Sequence, residues 1–139
     1  MKEIANTQHY HLLVVRPENQ VFFTISKTWK CTNDFPFLEK EIQSALDHSA
    51  ENFALVLDAS SFEFCTAGCE KLLSVAISTF LENNPDCFVV ITPDNAVTEH
   101  ILGRILRNLS APVVSFRNQA QARNWLNERK NPSFQKQVV

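Results

Sequence analysis

The chain reads as a single α/β domain: a mixed five-stranded sheet packed with four helices, in the order β-β-α-β-α-β-α-β-α. Three observations carry that expectation. Two apolar runs, 53–57 and 87–91, show no polar alternation, the pattern of strands covered on both faces. The segments that follow them repeat apolar residues at i, i+3 and i+4, the spacing of one buried helix face. Successive strand–helix–strand units then require parallel pairing through right-handed crossovers.

Residues 1–8 read as a short polar lead. His9-Tyr10-His11-Leu12-Leu13-Val14-Val15 is the first strand, and residues 16–20 form a turn, because Pro17 fixes φ and Asn19 tolerates a tight bend. Residues 21–29 alternate, with Val21, Phe23 and Ile25 on one face and Phe22, Thr24 and Ser26 on the other. That strand is half polar and pairs with the first as an antiparallel hairpin. Asn33 or Asp34 caps the first helix, with Pro36 tolerated in its first turn. Phe35, Leu38, Ile42, Ala45 and Leu46 supply its buried stripe.

The third strand, 53–57, closes at Asp58, and residues 59–65 read as a loop leading to Thr66, a good N-cap. Cys69, Leu73, Ala76, Ile77 and Phe80 mark the second helix, which Asn83-Asn84-Pro85 stops. After the strand at 87–91, Pro93-Asp94-Asn95 opens a third helix bearing Val97, Ile101, Ile105 and Leu109. Pro112 ends it before a strand at 113–116. Asn118 caps a last helix with Ala122, Trp125 and Leu126 inward, and residues 131–139 read as a flexible tail, so the domain spans 9–130.

Composition excludes several classes. With 45% apolar residues in 139, the chain has material for a core and is not of disordered type. No run approaches the roughly 18 apolar residues of an integral membrane segment. Residues 1–8 lack the apolar centre of a signal peptide, so a cytoplasmic location is expected. Cys31, Cys65, Cys69 and Cys87 form no Cys-x-x-Cys pair and read as free thiols.

A net charge of −2 argues against nucleic acid as a partner, although residues 1–70 carry 5 basic and 10 acidic side chains and residues 71–139 carry 8 and 5. Gly68 and Gly103 are the only glycines. A P-loop or dinucleotide fingerprint needs clustered glycines so that backbone N–H groups can approach phosphate, and neither can be built here. The nucleophile elbow is absent too.

No catalytic residue, metal site or cofactor is therefore expected. His9 and His11 share a face of the first strand but have no companion ligand at a suitable spacing. Cys65 and Cys69 are too few for structural zinc, and burial of Cys69 on its helical stripe would make it inert. His100 has no elbow or oxyanion signature around it. Arg104, Arg107 and Arg117 could grip an acidic partner or simply line a solvated face.

The element order, the Leu57-Asp58 strand end and the helix opening at Thr66 resemble the STAS-type fold of anti-sigma-factor antagonists. The second half is similar to a broader bacterial branch of STAS/CRAL-TRIO-like (SpoIIAA-like) domains. It carries Val90-Ile91-Thr92-Pro93-Asp94, Val113-Val114-Ser115-Phe116 and the ending Ala122-Arg123-Asn124-Trp125-Leu126. The resemblance covers roughly residues 9–130 and implies a non-enzymatic regulatory module that docks on a protein partner. Its alternative implication is a domain that binds an apolar small molecule or lipid. Eleven Phe residues, among them Phe22, Phe35, Phe37, Phe62 and Phe64, favour the second reading through an aromatic-lined pocket.

In the antagonists a phosphorylatable Ser lies in an Asp-Ser-Ser-Gly segment at the second helix. Here Thr66, Ala67 and Gly68 replace its first three residues, so no phospho-switch is expected and Thr66 is left as a weak acceptor candidate. If the resemblance holds, contact falls at the carboxyl ends of the parallel strands, where open α/β sheets place their sites. That rim comprises Asp58, Ser60, Ser61, Phe62, Phe64, Thr66, Asp94, Asn95 and Arg117.

Overall fold

A computed structural model describes residues 1–130. Six strands form one sheet: β1 (Lys2–Asn6), β2 (Tyr10–Val15), β3 (Gln20–Trp29), β4 (Ala54–Cys65), β5 (Cys87–Ile91) and β6 (Val114–Phe116). They lie in sequence order across it; β1, β2 and β3 pair antiparallel, and β3, β4, β5 and β6 pair parallel. The four helices are α1 (Leu38–His48), α2 (Ala67–Leu81), α3 (Ala96–Leu109) and α4 (Gln119–Lys130), with a single 3-10 turn at Thr32–Asp34.

The mixed sheet, the hairpin and the helices agree with expectation, but the sheet has six strands rather than five. The additional one, β1, lies within the segment read as a polar lead. It pairs with β2 through a bulge between Glu3 and Ala5 and buries only Ala5 fully. The segment 59–65 is also strand rather than loop. It continues β4 alongside the end of β3, with Ser26 opposite Ser61, Lys27 opposite Phe62 and Trp29 opposite Cys65. Lys27 at φ 61° takes up one of the register shifts, in the left-handed region that non-glycine residues seldom enter. Pro36 precedes α1 instead of sitting in its first turn, because the 3-10 turn consumes the residues read as the helix start. The expected tail, 131–139, lies outside the described residues.

Topology decides which faces are covered. The parallel strands advance one neighbour at a time, so three right-handed crossovers put α1, α2 and α3 on the same face. The main core lies there: Leu12, Val21, Phe23, Ile25, Leu55, Leu57 and Val90 meet Leu38, Ile42, Leu73, Ile77, Phe80, Leu102 and Ile105. Its aromatic end joins Trp29 to Phe35 at 4.2 Å and to Phe62 at 6.1 Å between ring centroids, and the Trp29 indole N–H donates to the His9 carbonyl.

Helix α4 belongs to no crossover and packs on the opposite face, where Ala122 and Leu126 meet Ala54, Val56, Val89 and Ile91. A single helix spans only part of a six-stranded sheet. His11, Leu13, Val15, Phe22 and Thr24 are accordingly left half-buried on the α4 side of β2 and β3.

Candidate functional site

Each helix directly follows a strand, so all four begin at the edge formed by the carboxyl ends of β3, β4, β5 and β6. Helix starts leave unpaired N–H donors, and here side chains take several of them. Thr66 accepts from the Cys69 N–H, Asn95 from the Val97 and Thr98 N–H groups, and Asn118 from the Gln121 N–H. The Thr66 hydroxyl also donates to the Lys30 carbonyl at 3.0 Å, so this group is engaged on both sides.

Asp58 is the last β4 residue paired with both neighbours, opposite Thr24 and Ile91. It is buried, with one carboxylate oxygen accepting from the Ser60 N–H and hydroxyl (3.0 and 2.7 Å) and the other from the Gln119 amide (2.8 Å). A buried carboxylate needs such donors. These tie the strand end to the first turn of α4 and make Asp58 a brace for the rim.

Beyond Asp58 the sequence-derived residues separate. Phe62, expected to add contact area, is instead inside the core at 3% exposure, edge-on to Trp29. Phe64, Ser60 and Ser61 are exposed, as are Asp94, Asn95 and Arg117. The Thr98 hydroxyl donates to the Glu63 carbonyl and pins the start of α3 to the end of β4. Phe64 and Val97 flank that bond in sequence, and both are exposed, at 44% and 64%. Phe37, at the start of α1, is exposed at the same edge of the sheet. The Thr98–Glu63 bond thus brings the backbone of two exposed apolar residues, Phe64 and Val97, to the same part of the rim.

Other sequence candidates do not converge. The His9 ring packs on Phe35 at 5.2 Å, whereas His11 meets Glu3 at 2.9 Å on the other side of the sheet. Arg104 makes a two-pronged contact with Glu70 (3.0 and 2.9 Å), which leaves it less free to grip a partner. Cys65 and Cys69 are buried; burial and the nearby Glu70 carboxylate push the Cys65 thiol up to about 11, away from thiolate reactivity. Among the described residues no three His, Cys, Asp or Glu side chains gather to hold a metal ion, and no helix is long and apolar enough to cross a membrane.

Two surface clefts each measure about 490 Å³. One is shallow and lies at the rim, between Thr92, Glu99, Phe116, Arg117 and Gln121. The other lies against the open part of the sheet, where Leu13, Gln20, Phe22 and Thr24 face Gln119 and Arg123 of α4. Neither is lined by Phe62 or Phe64. Sequence reasoning missed the second cleft, because its existence depends on how far α4 reaches across the sheet.

No family model and no curated protein matches this chain. Among solved structures it is similar to a protein of the DUF3478 family with a SpoIIAA-like fold from Shewanella loihica PV-4. The TM-score is 0.62 at 12% identity, over 88% of this chain and 97% of that one. The chain thus has a SpoIIAA-like, STAS-like fold, as the residues of the second half led one to expect. Identity this low speaks to architecture alone.

Proposed function

We propose that this chain is a non-enzymatic regulatory module of the cytoplasm that docks a protein partner at the carboxyl rim of its parallel strands. The observation that carries the reading is the pair Phe64 and Val97, held in place by the Thr98–Glu63 hydrogen bond and left open to solvent. Arg117, Asp94, Ser60 and Ser61 are polar residues exposed at the same rim. An apolar centre within a polar rim is the usual anatomy of a protein interface. The resemblance to anti-sigma-factor antagonists, which implies docking on a protein partner, supports the reading, and the SpoIIAA-like fold agrees with that resemblance.

The test is a Phe64→Ser/Val97→Ser variant, first checked for an unchanged melting temperature, then used beside wild type to capture partners from host lysate. Loss of a specific, stoichiometric partner supports docking at the rim. A partner retained at full occupancy by a folded variant refutes it. The second reading is an apolar small molecule or lipid; among the described residues Phe62 is packed into the core edge-on to Trp29 and lines neither cleft. The cleft beside α4 is the observation that favours it.

A further inference from the structure

The cleft on the open side of the sheet has an internal order. Cross-strand register sets Thr24 beside His11, Phe22 beside Leu13, and Gln20 beside Val15. Helix α4 runs antiparallel to β3, starting at Asp58 and reaching Asp86 at its other end. A helix rises about 1.5 Å per residue and a strand about 3.3 Å, so four helical residues match two strand residues. Gln119, Arg123 and Asn127 therefore stand level with Thr24, Phe22 and Gln20. The middle of the cleft is apolar, from Leu13, Val15 and Phe22, with a guanidinium along one wall.

Two polar groups there lack partners. Gln20 is 7% exposed, yet its carboxamide makes no hydrogen bond among the described residues, and it lines this cleft. No buried side-chain nitrogen or oxygen among the described residues is left unsatisfied, so the Gln20 carboxamide keeps its access to solvent through the cleft and is available to a ligand there. Arg123 is exposed and pairs with no carboxylate among the described residues, so its guanidinium is free to turn into the cleft. Other ionisable groups line the same cleft: Met1, His11, which is paired with Glu3, and Glu18, which is itself engaged and lies in the turn before Gln20.

We propose that this cleft binds a small organic carboxylate with an apolar body. The carboxylate accepts from the Gln20 amide and pairs with the Arg123 guanidinium, and the apolar body lies over Leu13, Val15 and Phe22. A volume of about 490 Å³ fits a ligand of this class. The site is separate from the docking rim, so either assignment can fail without the other.

Octanoate is a suitable probe, with octanol as its uncharged control, read by the side-chain NH2 resonances of Gln20 in isotope-labelled protein. Octanoate should move those resonances saturably, together with the backbone signals of Leu13 and Phe22, at concentrations up to about 10 mM, where even millimolar affinity fills a site. Arg123→Gln should weaken octanoate about three- to tenfold and leave octanol unchanged. Gln20→Leu, which removes the donor while keeping an apolar filler, should weaken octanoate as well. Still Gln20 resonances, equal responses to octanoate and octanol, or an Arg123→Gln variant that binds as wild type would each overturn the proposal. Concentration-dependent broadening of the same signals without octanoate would overturn it in favour of a second copy covering this face.

Discussion

Phe62 and Phe64 lie two residues apart on one strand, and the structure assigns them opposite fates, which makes their truncation a sharp test. Phe62 is 3% exposed and sits edge-on to the buried Trp29, with ring centroids 6.1 Å apart and planes at 86°. Phe62→Ala removes that aromatic contact and opens a cavity beside Trp29, for a loss of about 3–5 kcal/mol. For a domain of this size each kcal/mol lowers the melting temperature by about 3–4 °C, so the midpoint should fall by about 9–20 °C. Phe64, at 44% exposure, should cost under about 1 kcal/mol when replaced by alanine. Paired thermal and urea melts, with unchanged urea dependence to certify two-state behaviour, give both numbers. Equal losses, or a larger loss at Phe64, would refute the inward turn of Phe62 and with it the reading of 59–65 as an extension of β4.

Other consequences follow from particular contacts. Trp125 is half-buried, with Phe116 at 6.0 Å and the Arg129 guanidinium 5.3 Å from its ring, so Trp125→Ala should cost about 2 kcal/mol in a urea melt, less than a core tryptophan would. Gln119→Ala leaves one oxygen of buried Asp58 without its donor; we expect a loss of about 1–2 kcal/mol and faster hydrogen exchange in the first turn of α4. In native protein, iodoacetamide at pH 8 should label exposed Cys31 readily and spare buried Cys65 and Cys69, as read by peptide mass. Because folding raises the Cys65 thiol from 9.0 to about 11, the folded state binds its proton more tightly. Stability should therefore decline as pH rises above about 9, and Cys65→Val should flatten that decline in melts between pH 8 and 10.5.

The parallel part of the fold was legible because its strands at 54–58 and 87–91 are buried on both faces and its helices keep strict apolar stripes. What escaped has physical reasons. In β1 only Ala5 is fully buried, and a bulge interrupts the alternation, so Lys2-Glu3-Ile4-Ala5-Asn6 carries little period-two signal. Along 59–65 the buried residues are Ala59, Phe62 and Cys65, a spacing of three that matches neither strand nor helix; the register shifts near Lys27 produce it. The N-caps Thr66 and Asn118 were readable because capping is a local rule. The place of Gln20 was not, since a residue read as part of a turn is drawn into the sheet by the register of β2 and β4, with its amide turned to the cleft.

A photo-crosslinking side chain at position 64 tests contact at the strand-end rim most directly. Benzoylphenylalanine replaces Phe64 with little change in shape, and a second variant carries it at exposed Glu51, on the opposite edge of the sheet before β4. After irradiation in host cells, position 64 should give a discrete protein adduct and position 51 none. Equal adducts from both positions, or an adduct from 51 alone, would contradict docking at the rim.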